Sequence, residues 1–149
     1  MDEANITPWP APKPSAWSKA FWEGAKEGRL LIQICGACAR RVFYPRLYCP
    51  SCLSPELGWM QASGRGTIYS YTIVRSNAPS AFAASVPYVV AVVRIEEGVQ
   101  MLANIVGSDL DELRCDAPVE VVFEAKGDWV LPQFRLARAE LCQEACQCK

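Results

Sequence analysis

Four cysteines fall in two short steps, Cys35-Gly-Ala-Cys38 and Cys49-Pro-Ser-Cys52, with ten residues between them. Each step lets its two sulfurs reach the same ion, while Arg41-Val-Phe-Tyr44 and the turn at Pro45 allow the chain to double back. The spacing predicts a zinc ribbon that holds one Zn2+ per chain through Cys35, Cys38, Cys49 and Cys52. A four-cysteine site is closed and tetrahedral, so it builds structure and leaves no open position for a reacting water. Thiolates alone also suit iron, which keeps a rubredoxin-like electron carrier as an alternative.

A chain of 149 residues with 51% hydrophobic and 21% charged residues can bury a core without covalent staples. The N-terminal stretch carries Asp2, Glu3 and scattered prolines, where a signal peptide needs a basic start and an apolar run. No later segment has the length and apolarity of a membrane span. The expected setting is therefore the cytoplasm, where thiols stay free or metal-bound; a disulfide framework is the alternative that the even cysteine count allows.

Lysine and arginine total 15 against 16 acidic residues, and a tetrathiolate zinc site adds two further negative charges. Nucleic acid is not an expected partner on that balance. Arg40, Arg41 and Arg46 lie within the ribbon, and the plain reading is that they offset its negative site. Histidine is absent altogether, and no GxSxG, P-loop or GxGxxG pattern occurs. Much acyl-transfer and hydrolytic chemistry relies on an imidazole base, so the bond-making this chain serves is expected on another polypeptide.

Along the chain, residues 1–14 place Pro8, Pro10, Pro12 and Pro14 around Trp9, which predicts an extended arm whose tryptophan docks on the body or on another subunit. Residues 15–62 are expected to hold a helix and the ribbon. Ser15 is read as the helix cap and Gly28 as its stop, with Trp17, Ala20, Phe21 and Gly24 forming one stripe and Trp22 off it, free to meet a partner. Arg29 to Ile34 leads as a strand into the first knuckle. Residues 63–138 read as β throughout: Thr67–Val74, Pro87–Ile95, Val99–Val106, a strand in which Val119, Val121, Phe123 and Ala125 alternate with wetter positions, and Val130–Arg138. Glu96-Glu97-Gly98 is a hairpin turn, and a helical turn falls near Asp109–Leu113. The fold class is mainly β, with five barrel strands of the OB type. Residues 139–149 form a tail with Cys142, Cys146 and Cys148, whose role, like that of Cys115, the sequence leaves open.

The order of parts resembles a known family, in which an N-terminal aromatic helix and a rubredoxin-like zinc ribbon precede an OB barrel. These acyl-CoA-associated proteins were long catalogued as a domain of unknown function. The carriers are Phe21-Trp22, Gly28-Arg-Leu30, the four ribbon cysteines with Phe43, Tyr44 and Pro45, Gly64-Arg-Gly-Thr67, Pro87-Tyr88 and Glu97-Gly98. The resemblance implies a small non-catalytic accessory subunit in a hetero-oligomer with a thiolase-like enzyme, or with an acyl-CoA hydratase or aldolase. It further implies a CoA thioester shared with that partner, the bond-making groups coming from the partner, and, by analogy with family members in aromatic or steroid acid catabolism, a bulky acyl group.

The connection from Ser76 to Val86 is the candidate wall of an acyl tunnel, with Arg75 and Tyr88 placed to contact a CoA phosphate or the partner and Phe82 as apolar anchor. A single-stranded nucleic-acid binder is the rival class. Tyr69 and Tyr71, expected on one strand face, would then stack bases.

Overall fold

The computed structural model describes residues 9–137. The tail cysteines Cys142, Cys146 and Cys148 lie outside the described residues, as does most of the arm.

One helix, α1 (Lys19–Lys26), precedes eight strands: β1 (Leu31–Cys35), β2 (Arg41–Val42), β3 (Leu57–Gln61), β4 (Arg65–Val74), β5 (Tyr88–Ile95), β6 (Gln100–Ile105), β7 (Pro118–Lys126) and β8 (Trp129–Leu136). The helix is one turn shorter at its start than the sequence suggested. Ser15 does not cap it; the Ser18 hydroxyl accepts the Ser15 N–H at 2.9 Å and is thereby spent in a turn ahead of the helix. Its end follows the glycine signal. Gly28 adopts a left-handed φ of 71°, which lets Arg29 N–H reach the Gly24 carbonyl at 2.8 Å and Gly28 N–H reach Ala25 at 3.0 Å.

Phe21 and Ala25 turn the helix inward, whereas Trp17 remains 43% exposed. Trp22, read from the sequence as facing a partner, meets Trp129 of β8 edge-on at 5.7 Å and Phe21 at 5.1 Å. The helix therefore leans on the barrel through the residue that its own periodicity left over.

The ribbon sheet has the order β2-β1-β3, with Gln33 opposite both Val42 and Trp59. Strand β3 has no clear two-residue alternation and was not legible in the sequence; pairing with β1 forms it. Gln33 is buried, and its amide is satisfied from one place: Nε2 donates to the Arg46 carbonyl at 3.0 Å and Oε1 accepts the Arg46 N–H at 2.7 Å. A buried amide left without partners would cost about 1–3 kcal/mol, so this pair fixes the path of the chain between the two cysteine steps.

The other five strands close into a barrel in the order β4-β5-β6-β8-β7. The parallel β6–β8 contact is a single register pair, Ile105 with Phe134, and β7–β4 closes the ring from Arg65 opposite Glu120. This is the OB arrangement. Ile68, Val93, Ile95, Val119 and Phe134 fill the interior, and the same apolar cluster continues into Phe21, Leu30 and Ile32. Burying a side chain such as Phe134 contributes about 2 kcal/mol.

Two strand readings change. A bulge between Ile68 and Ser70 leaves Tyr69 without a partner in β5 and resets the alternation, so Tyr69 and Tyr71 do not share a face. Tyr71 packs on the core and donates its hydroxyl to the Leu113 carbonyl at 2.9 Å; Tyr69 stays outside, under Arg94 at 4.6 Å. In β7, Val119, Val121 and Phe123 face inward as expected, but Ala125 is exposed. The connection 76–86 contains a 3-10 turn at Ser80–Ser85, so the segment expected to be a loose loop is partly helical.

Candidate metal centre and flanking clefts

The two cysteine steps are built alike. Ala39 N–H bonds the Cys35 carbonyl and Leu53 N–H the Cys49 carbonyl, each at 2.9 Å; Cys35 N–H reaches Arg40 and Cys49 N–H reaches Ser54, again at 2.9 Å. The residue after each second cysteine takes a left-handed φ, 57° at Ala39 and 60° at Leu53. Such a turn curls the peptide around its own two sulfurs and costs a non-glycine residue about 1–2 kcal/mol.

All four sulfurs lie within 4.8 Å of one another, with Cys35–Cys52 at 3.6 Å and Cys38–Cys49 at 3.7 Å. Tetrahedral zinc bonded to sulfur at about 2.3 Å sets neighbouring sulfurs about 3.8 Å apart, so the cluster fits such an ion. Cys35 and Cys49 are buried and Cys38 and Cys52 exposed. Without the ion, the thiols are unlike. The backbone N–H of Cys52, then that of Ser51, stabilises the Cys49 thiolate and draws its pKa down from 9.0 to about 6. The Ser54 N–H pulls Cys52 the same way, but the neighbouring sulfur of Cys38, burial, and the sulfurs of Cys35 and Cys49 outweigh it and raise Cys52 to about 12.

Two hollows flank the barrel strand β6. One, of about 740 Å³, lies between ribbon and barrel and is bordered by Arg40, Arg41, Arg46, Tyr44, Glu97 and Leu102. The other, of about 700 Å³, lies on the barrel and is bordered by Trp9, Phe82, Tyr88, Leu102, Leu110 and Leu131. Phe82 and Tyr88 come together there with ring centres 6.2 Å apart. Arg75 is exposed and borders neither hollow. Trp9 of the arm does meet the body, half-buried against this second cleft.

Sequence reasoning did not single out Tyr44 and Leu102 as a pair, nor Gln133. The first two join ribbon to barrel, and Gln133 is buried with Oε1 accepting the Asn104 N–H at 3.1 Å. A polar residue between Pro132 and Phe134, within the apolar run from Trp129 to Phe134, was the available signal for Gln133. Cys115 is exposed, away from the four clustered sulfurs. Among the described residues no helix is long and apolar enough to cross a membrane.

A small ribbon with a four-sulfur cluster, fused to an OB barrel, defines a zinc-ribbon/OB-fold protein. Residues 22–58 match the profile of the ChsH2 rubredoxin-like zinc ribbon domain, and residues 59–124 that of the ChsH2 C-terminal OB-fold domain. The chain belongs to this family, the ChsH2 and DUF35 proteins.

A DUF35 domain-containing scaffold protein of Methanocaldococcus jannaschii is 34% identical over 68% of this chain and 73% of its own length. Two hydratase subunits are also similar. A probable enoyl-CoA hydratase alpha subunit of Thermomonospora curvata is 39% identical over 79% of this chain, and the 3-oxo-4,17-pregnadiene-20-carboxyl-CoA hydratase alpha subunit of Mycobacterium tuberculosis is 31% identical over 80%. This chain spans only 37% and 38% of those two proteins. Among solved structures, the Ltp2-ChsH2(DUF35) aldolase matches with a TM-score of 0.77 and 35% identity, covering 85% of this chain and 98% of that one.

Proposed function

We propose that this chain is a zinc-stapled accessory subunit of a thiolase-type acyl-CoA enzyme. It completes the partner's substrate site and performs no bond-making itself. The observation that carries this reading is the apolar cleft at Phe82 and Tyr88, whose lining offers neither thiol nor imidazole. Such a surface can hold an acyl chain, exclude water and position a thioester, while nucleophile and base come from the other subunit.

The kinship supports the reading, since the similar proteins carry names of hydratase alpha subunits, a scaffold and an aldolase complex. One of them acts on a steroid-sized CoA thioester, which favours a bulky acyl group here. Zn2+ held by Cys35, Cys38, Cys49 and Cys52 supplies cross-linking only, because four thiolates fill its coordination sphere. The working division is an arm at 1–14, helix and ribbon at 15–62, barrel at 63–138 and a tail at 139–149.

The nucleic-acid alternative loses its main support. Tyr69 lies under Arg94 and Tyr71 is held by Leu113, so the pair presents no common stacking platform.

Co-expression with a thiolase-type subunit provides the test. The expected result is a stable complex that turns over an acyl-CoA, while this chain alone, colourless and carrying one zinc, does not. Turnover by the isolated chain, or a red iron-loaded preparation, overturns the proposal.

A further inference from the structure

Leu102 borders both clefts, and their chemistry is opposite. On the ribbon side, Arg40, Arg41 and Arg46 border a hollow in which the single acidic lining residue is Glu97. None of the three forms an ion pair among the described residues, although five other basic residues do. Nor does any of them hydrogen-bond a cysteine sulfur there; Arg40 reaches only the Ser51 hydroxyl, at 3.4 Å. No direct hydrogen bond to a thiolate therefore fixes these side chains. Glu97 spends one oxygen elsewhere, Oε1 accepting the Ser63 N–H at 2.5 Å, while its Oε2 is buried without a hydrogen-bond partner. The lining of the hollow itself carries three arginines against one carboxylate.

On the barrel side the lining is mainly apolar, with Ser85, Asn104, Ser108 and Gln133 among it, and its two charged members, Glu124 and Lys126, pair with each other at 3.2 Å. Between the two sides, the Leu102 side chain is 57% exposed, an apolar saddle over which a ligand can lie.

We infer that one acyl-CoA spans both clefts across Leu102, its phosphates on Arg40, Arg41 and Arg46 and its acyl chain beside Phe82 and Tyr88. The inference rests on the acyl-CoA reading above and adds to it a location and a direction. Arginine forks match phosphate oxygens in pairs, and guanidinium groups without acidic partners pay no exchange penalty on meeting them. The acyl chain fills a cleft whose size lies in the usual range for small-molecule sites. Arg75, the phosphate contact suggested by the sequence, has no part in this arrangement.

Calorimetric titration of the full zinc-loaded chain with coenzyme A and with octanoyl-CoA tests it. Octanoyl-CoA is expected to bind several-fold more tightly than coenzyme A. Replacing all three arginines by glutamine (R40Q/R41Q/R46Q) should weaken both probes by at least about tenfold, with zinc content unchanged. Phe82→Ala should weaken octanoyl-CoA and spare coenzyme A, and Arg75→Gln should change neither. If the triple variant loses zinc, the single variants Arg40→Gln, Arg41→Gln and Arg46→Gln replace it, each expected to weaken coenzyme A several-fold.

Equal affinity of wild type and zinc-retaining arginine variants overturns the inference, as does absence of binding of either probe to the wild type. Pyrophosphate binding as tightly as octanoyl-CoA overturns it too, because the site would then be a general phosphate cleft. Co-purification with a thiolase-type subunit is scored separately. Loss of that complex sinks the accessory role, whereas an intact complex with unaltered probe affinity in the arginine variants sinks only the spanning site.

Discussion

The phenol oxygen of Tyr44 accepts the backbone N–H of Leu102 at 3.0 Å, so a residue between the two cysteine steps is bonded to a barrel strand. Outward N–H groups of β6 continue in the same way: Asn104 donates to the Gln133 side chain at 3.1 Å, and Val106 just beyond the strand donates to the Phe134 carbonyl at 2.7 Å. Along this seam β6 and β8 share only one register pair, and the side chains of Tyr44 and Gln133 satisfy two N–H groups that a ladder would otherwise satisfy.

Tyr44→Phe removes the acceptor of Leu102 and keeps the ring. Because Tyr44 is half-exposed and water can replace it, the expected loss is at the low end of about 0.5–1.5 kcal/mol. Amide exchange at Leu102 should quicken in the variant, and unchanged exchange would show that the bond does not hold the seam.

Cys38→Ser should abolish zinc retention, since the remaining three thiolates no longer close the site. Unfolding should be confined to the knuckle end, because Leu30 and Ile32 at the ribbon base belong to the same apolar cluster as the barrel. Metal analysis and residue-resolved amide exchange check both halves, and full zinc content in the variant would refute the ligand assignment.

Trp22 and Trp129 should be energetically coupled. A double-mutant cycle with Trp22→Ala and Trp129→Ala is expected to give about 0.5–1.5 kcal/mol of interaction free energy, as for other edge-on aromatic pairs. Strict additivity in urea unfolding would mean that this ring pair does not hold the helix to the barrel.

Zinc loading should release fewer than four protons per ion at neutral pH, because Cys49, with its pKa near 6, is already ionised in the metal-free chain. The sign follows for stability without metal. The lowered Cys49 pKa contributes stability that is complete above 9 and lost as pH falls through about 6; the raised Cys52 pKa contributes stability that is complete below 9 and lost as pH rises through about 12. Proton release in weakly buffered solution measures the first point, and a full four protons at neutral pH would contradict it.

Gly66→Ala should destabilise the barrel by about 1–3 kcal/mol through overpacking. A Cβ at this position would stand 2.4 Å from the Arg94 carbonyl oxygen and 2.9 Å from the Ile95 Cα, both rigid backbone of β5. Thermal unfolding reads the effect, and wild-type stability would show that β4 and β5 can move apart.

Features fixed by local chemistry were legible in the chain alone. Two Cys-x-x-Cys turns close through hydrogen bonds spanning a few residues, Gly28 ends the helix through its own left-handed backbone, and strand periodicity outlined all five barrel strands. Errors arose wherever register or a distant neighbour decided. One inserted residue at Tyr69 turned two tyrosines apart, and Trp129, more than a hundred positions away, covered Trp22. The candidate site divides in the same manner. Spacing named the four sulfurs, and the loop ends suggested Phe82 as an apolar anchor with Arg75 and Tyr88 as phosphate or partner contacts; the fold brings Phe82 and Tyr88 to one cleft and leaves Arg75 outside both. Only the tertiary structure could set Arg40, Arg41 and Arg46 beside β6, because that neighbourhood exists through the Tyr44–Leu102 bond and the shared core, contacts between segments that no short-range pattern links.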